Sequence, residues 1–166
     1  GYLAELFSAG VLTEAQAAQT VRLTYILNDL DRIGTLCVEV AKHVWDKEEN
    51  KYQYSSQAMA EVQESLEIIK DMYDDAMDVL VTKDRDKAKK LSKRKEKILE
   101  LDSIMRKGHL KRVNERTCKA SLTKPFTKIL NSIDRMGNCC LNLADVALDD
   151  LTFGYFTGVD ENLAAH

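Results

Sequence analysis

The chain has 166 residues, 45% hydrophobic and 31% charged, with a formal net charge of −3. These values suit one packed domain of ordinary size and exclude a nucleic-acid surface built on excess positive charge. No apolar run approaches the roughly 20 residues that span a bilayer, and no charged-then-apolar leader opens the chain. The four cysteines, Cys37, Cys118, Cys139 and Cys140, lack metal-binding spacing, so a reduced, cytoplasmic setting is expected.

One proline and seven glycines in the whole chain, with apolar residues every three or four positions, predict an all-helical fold of about four long helices. The first runs from Thr13, whose "TEAQ" reads as a capping box with Gln16, to about Trp45. Its apolar stripe is Leu23, Ile26, Leu30, Ile33, Cys37, Ala41 and Val44. The second starts after the "YSS" cap at Ser55 and ends near Thr82, with Met59, Val62, Leu66, Ile69, Tyr73, Ala76 and Leu80 facing the bundle. The third spans about Asp84 to Arg116 and tolerates Gly108 at a cost of about 1 kcal/mol relative to alanine. The fourth opens near Thr123, with Pro125 in its first turn, where backbone N–H groups lack partners anyway, and closes before "FGYFTG". Short connections imply antiparallel neighbours.

The second and third helices carry opposite charge rows on either side of one turn. Glu64, Glu67, Asp71, Asp74 and Asp78 form the acidic row; Lys83, Lys87, Lys90, Arg94 and Lys97 form the basic one. An antiparallel hairpin sets the turn-proximal ends of the two rows together, each exposed pair contributing about 0.2–1 kcal/mol. The same 83–97 lysine-rich row is also a candidate contact for an anionic membrane surface. No aromatic residues interleave with it, so nucleic acid is not expected.

The stretch "ILNDLDRIGTLCVEVA" (Ile26 to Ala41) returns 103 residues later as "ILNSIDRMGNCCLNLA" (Ile129 to Ala144), identical at eight of sixteen positions. Each copy lies within a long helix, and the second closes a unit of three helices, so the chain reads as two units. Cys37 and Cys140, equivalent in the repeat, are expected to be small core side chains.

The "DLDRIG" and "SIDRMG" segments, with "GHLKRVNERTC" before the fourth helix, resemble the PhoU family. The resemblance implies an antiparallel bundle built from three-helix repeats, the first truncated. Residues 1–50 would end the first repeat, 51–152 form the second, and 153–166 be a C-terminal tail. "LFSAGVLTEAQAAQTVRLTYILNDLDRIG" is most similar to the cytoplasmic PhoU-like domain of bacterial sodium-phosphate cotransporters. That similarity implies a regulatory domain on the cytoplasmic side of the plasma membrane, in a longer protein whose transporter part lies upstream. A stand-alone PhoU-type regulator of phosphate uptake is the alternative, and a ligand-free structural bundle a third.

The family's carboxylate motif, an acid followed four residues later by Asp, can grip a hard cation or an iron cluster because both side chains share a helix face. Here the first acid is kept as Asp31 and Asp134, while the second is Thr35 and Asn138. Loss of half the charge at each site leaves at most a weakly bound divalent metal or iron. Asn131, Asn142, Asp145 and Asp149 continue a polar row along the fourth helix, and Arg32 and Arg135 are candidates for structural ion pairs. His109 would be a surface or capping residue, or a further ligand.

No glycine-rich phosphate loop, nucleophile elbow or HExxH helix is present, and His43, His109 and His166 are scattered, so no enzymatic activity is expected. A first helix short of partners leaves apolar residues uncovered, and a homodimer through that helix and "YLAELF" is expected.

Overall fold

In a computed structural model, the described residues are 14–45 and 54–148, with the side chains of Glu14, Ala15 and Trp45 outside the description. The "YLAELF" segment, Thr13, Asp149 and the 153–166 tail lie outside these residues. Four helices follow in order: α1 (Glu14–Trp45), α2 (Ser56–Thr82), α3 (Arg85–Asn114) and α4 (Thr123–Ala147), with a 3-10 turn at Ala120–Leu122. No strand occurs among the described residues, and the fold is the expected all-α bundle.

Local chemistry accounts for the boundaries. Ser55 Oγ accepts from the Ala58 N–H at 3.2 Å, starting α2. Asp84 does the same for α3, accepting from the N–H groups of Asp86 (2.8 Å) and Lys87 (3.1 Å). These donors, Lys87 first, hold its carboxyl below the usual range. Between them Lys83 takes the left-handed conformation, φ 59°, and its N–H closes on the Val79 carbonyl to end α2.

The core is a three-helix unit. Helices α2, α3 and α4 pack on one another pairwise, while α1 rests chiefly on α4. From α2 the buried face is Ala58, Val62, Ser65, Ile69, Met72, Ala76 and Val79. The expected stripe is therefore half right: Val62, Ile69 and Ala76 are buried, whereas Leu66, Tyr73 and Leu80 are half-buried against the core's edge. Of the charge rows, Lys87 pairs with Asp78, and Arg94 with Asp71 at 3.8 Å and with Asp75. Lys97 and Asp74 turn instead to Glu100 and Lys70 on their own helices.

Two expectations are corrected here. Cys37 is exposed, its Sγ 3.6 Å from Met136 Sδ, while its repeat equivalent Cys140 is fully buried. The same residue type thus meets different surroundings in the two copies, Cys140 lying within the core cluster and Cys37 at its edge. His109 is neither a surface nor a capping residue but a core one, because it follows Leu91, Ile98 and Met105 at helical spacing on the buried face of α3.

His109 stacks on Phe126 with ring centroids 4.9 Å apart, its Nε2 2.9 Å from Thr123 Oγ1 and its Nδ1 3.9 Å from Cys118 Sγ. Burial, and then the nearby Arg112 guanidinium, hold its pKa below the ordinary imidazole value. Below about pH 6.5 the unfolded chain therefore binds a proton that the native chain resists, and stability falls as the pH drops, by at most about 1.4 kcal/mol per pH unit. Urea unfolding at neutral pH and at pH values below the ordinary imidazole value should show this loss, and His109→Gln should flatten it.

Candidate functional site

The repeat places its two copies on α1 and α4, and these helices lie against each other antiparallel. Ser132 Oγ donates to Glu39 Oε2 at 3.0 Å, and the Cys139 thiol lies beside Asp29. The two contacts straddle Gly34 on α1 and Gly137 on α4, which are repeat equivalents. The two copies are thus related by an approximate two-fold through the middle of the seam.

On one flank of that seam lies an open polar cleft of about 440 Å³. Arg32 and Arg135, the paired arginines of the two copies, both face it, together with Asp29, Asp31, Thr35 and Glu39. Asp29 is buried, and the other five are exposed. Burial, and then the negative charge of Asp29, push the Cys139 thiol up to about 12; burial does the same for Cys140. Neither is a nucleophile, because the thiolate is the reactive form. The cleft is lined by no histidine or cysteine, and its mixed charge suits holding a polar group or a partner's side chains rather than bond-making.

The remaining candidate ligands lie elsewhere. Asp134 turns away from the cleft toward α3, where its carboxylate pairs with Lys95 and its backbone carbonyl accepts from Lys95 Nζ at 2.8 Å. Asn138 Nδ2 donates back to Asp134 Oδ2 at 3.4 Å. Asn131 Oδ1 accepts from Arg106 Nη2 at 2.8 Å, so this part of the row is a polar seam between α3 and α4. Asn142 and Asp145 continue it, both half-buried. The structure thus brings Asp31 and Thr35 together with Arg32 and Arg135, and leaves Asp134 and Asn138 beside Lys95.

Lys95 is the buried partner of Asp134 that the sequence reading missed. It is buried, and its stem crosses Gly137: a Cβ added there would lie 3.1 Å from Lys95 Cδ and 3.4 Å from Ile69 Cδ1. The available signal was its position, four residues after Leu91 and three before Ile98, on the apolar stripe of α3.

This donor set does not fit a multi-carboxylate metal centre. An ammonium group already neutralises Asp134, and no group of three or more His, Cys, Asp or Glu side chains among the described residues is arranged to hold a metal ion. Elemental analysis after gel filtration without chelator should find iron, zinc and manganese far below one per chain. Near-stoichiometric metal that disappears in Asp134→Ala would show that the neutral donors suffice.

The fold and site define a class: an all-helical bundle of repeated units, with a mixed-charge cleft at the seam between the copies and ion-paired carboxylates behind it. The family model for the PhoU domain matches residues 62–147, more than half of the chain. The chain belongs to the PhoU domain family, a family of helical regulatory domains. No curated protein and no solved structure matches it. None of the described helices is long and apolar enough to cross a membrane.

Proposed function

We propose that this chain is the cytoplasmic regulatory domain of a sodium-dependent phosphate cotransporter, acting by contact with a transporter part of the same protein rather than by catalysis. The observation that carries the reading is the repeated DRIG/DRMG segment within a PhoU-family bundle, preceded by "LFSAGVLTEAQAAQTVRLTY", which resembles the cotransporter-borne members. Membership of a regulatory helical family supports the non-enzymatic part of the reading. Phosphate-linked regulation is the family-level function; the cotransporter is the finer assignment.

In such an arrangement the cleft at Arg32 and Arg135 is the surface on which the transporter part, or a segment that reports its state, would act. Lys83 and Lys90, exposed near the α2–α3 turn, would lie against anionic headgroups, while Lys87 and Arg94 stay paired with α2.

The test is sodium-dependent phosphate uptake by cells carrying the full gene, with this domain intact or deleted. The expected result is uptake that persists but no longer responds to phosphate supply after deletion. Unchanged regulation rejects the assignment. A full gene encoding no hydrophobic spans ahead of Gly1 would reject it as well and transfer the reading to a free PhoU-type regulator.

A further inference from the structure

The cleft at the α1–α4 seam holds charges that the fold itself leaves unpaired. Among the described residues, neither the Arg32 nor the Arg135 guanidinium makes an ion pair or a hydrogen bond, and neither does the Asp31 carboxylate, although all three are exposed and line the cleft. The other two carboxylates there are engaged by the seam. Glu39 accepts from Ser132 Oγ at 3.0 Å, and Asp29 is buried, 3% exposed, and partnered. What faces the opening is therefore two guanidiniums and one carboxylate.

The repeat makes the two guanidiniums converge. The seam sets Glu39 beside Ser132 and Asp29 beside Cys139, so Arg135 falls opposite Thr35 and Leu36, about one helical turn, roughly 5.4 Å, along from Arg32. The positive charge of both reaches the Cys139 thiol in the seam, where each opposes the upward push of burial. Two like charges so placed favour an anion between them. The planar fork of an arginine matches two oxygens of a tetrahedral oxyanion, and two forks can hold one such group from two sides. Thr35, also on the cleft wall, adds a hydroxyl.

Asp31 decides which oxyanion fits. An ionised carboxylate accepts hydrogen bonds and donates none, so an oxyanion beside it must bring a proton of its own. Sulfate has none at neutral pH, and a phosphomonoester loses its last one with a pKa of about 6. Hydrogenphosphate keeps one P–OH well above neutral pH, and so offers bare oxygens to the arginines and a hydroxyl to Asp31. We infer that the cleft is a site for inorganic phosphate, clamped between Arg32 and Arg135 and recognised by the hydrogen bond that its remaining hydroxyl donates to Asp31. The cleft volume of about 440 Å³ lies within the range of about 300–1,000 Å³ usual for small-molecule sites, and its open mouth lets phosphate exchange freely with the surroundings. Such a site rests on the phosphate-regulatory reading above for its meaning in the cell.

Calorimetric titration of the 166-residue chain in chloride buffer at about pH 8, where methyl phosphate is a dianion without a P–OH, compares three probes. Inorganic phosphate should bind saturably, and sulfate and methyl phosphate at least about tenfold more weakly. Arg32→Gln and Arg135→Gln should each weaken phosphate binding by about tenfold or more, with helical circular dichroism retained because both side chains are exposed. Asp31→Asn should bring sulfate and methyl phosphate to the affinity of inorganic phosphate, a gain that misfolding cannot imitate. No binding of inorganic phosphate, equal binding of the three probes by the unmodified chain, binding that survives both arginine substitutions, or selectivity that survives Asp31→Asn overturns the proposal. A chain that binds no phosphate leaves the cotransporter reading to the uptake experiment, whereas regulated uptake that survives deletion of the domain removes that reading and leaves the binding result standing.

Discussion

Asp134→Ala should lower the unfolding free energy by about 2–3 kcal/mol, whereas Asp31→Ala, at the equivalent position of the first copy, should change it by less than about 0.5 kcal/mol. The difference follows from Lys95, whose side chain is 9% exposed against 32% for Asp134. Removing the carboxylate strands an ammonium group in the bundle. The lysine keeps the Asp134 carbonyl as an acceptor, and the pair is only partly buried, which places the loss just below the range of about 3–5 kcal/mol for broken buried pairs. Lys95→Met should cost less than Asp134→Ala, because the remaining carboxylate reaches water through its exposed third while the methionine keeps the packing over Gly137. Denaturant titration of the three variants against the unmodified chain measures all of this. Equal losses for Asp134→Ala and Asp31→Ala would mean that the two aspartates share one environment.

Phe126→Ala should be the more damaging change, at about 3–5 kcal/mol, a large share of the roughly 5–15 kcal/mol that holds an ordinary domain together. Phe126 begins the buried face of α4, with the Tyr54 ring 5.7 Å away on one side and His109 stacked 4.9 Å away on another. Its removal opens a cavity where the α3–α4 connection meets the core. Water entering that cavity would lift the restraint on protonating His109. Phe126→Ala should therefore both lower stability at neutral pH and weaken its further decline on acidification, which urea unfolding at two pH values separates. A stable variant with an unchanged pH profile would show that this end of the bundle repacks.

Helix limits were legible because they are local. Ser55, Asp84 and Pro125 each act on the first turn of their own helix, and a hydroxyl, a carboxylate or a missing N–H does the same work wherever the helix goes next. The charge rows were legible only in part, since the turn sets Lys87 beside Asp78 but does not oblige Lys97 to reach past Glu100. On α2 both Met59 and Ala58 could face inward by periodicity. The small Ala58 and Ser65 lie toward the tight three-helix core, and the larger Met59 and Leu66 line a groove between α1 and α2. The site was less legible than the fold, because identical residues acquire different neighbours. Asp31 and Asp134 begin the same motif, yet one faces an open cleft with Arg32 and Arg135 while the other is held by a lysine from a helix that nothing in the motif specifies.

The unlike fate of the two copies is tested most directly by the pair of equivalent cysteines. Site-resolved alkylation of the native chain, followed by mass spectrometry across a range of protein concentrations, reads both at once. Cys140, fully buried with its thiol pushed up to about 12, should react only as fast as the bundle opens, at a rate independent of concentration. Cys37, exposed in the α1–α2 groove, should react orders of magnitude faster. Equal, concentration-independent protection of Cys37 and Cys140 would contradict this, for it would mean that the first copy of the repeat is as closed within one chain as the second.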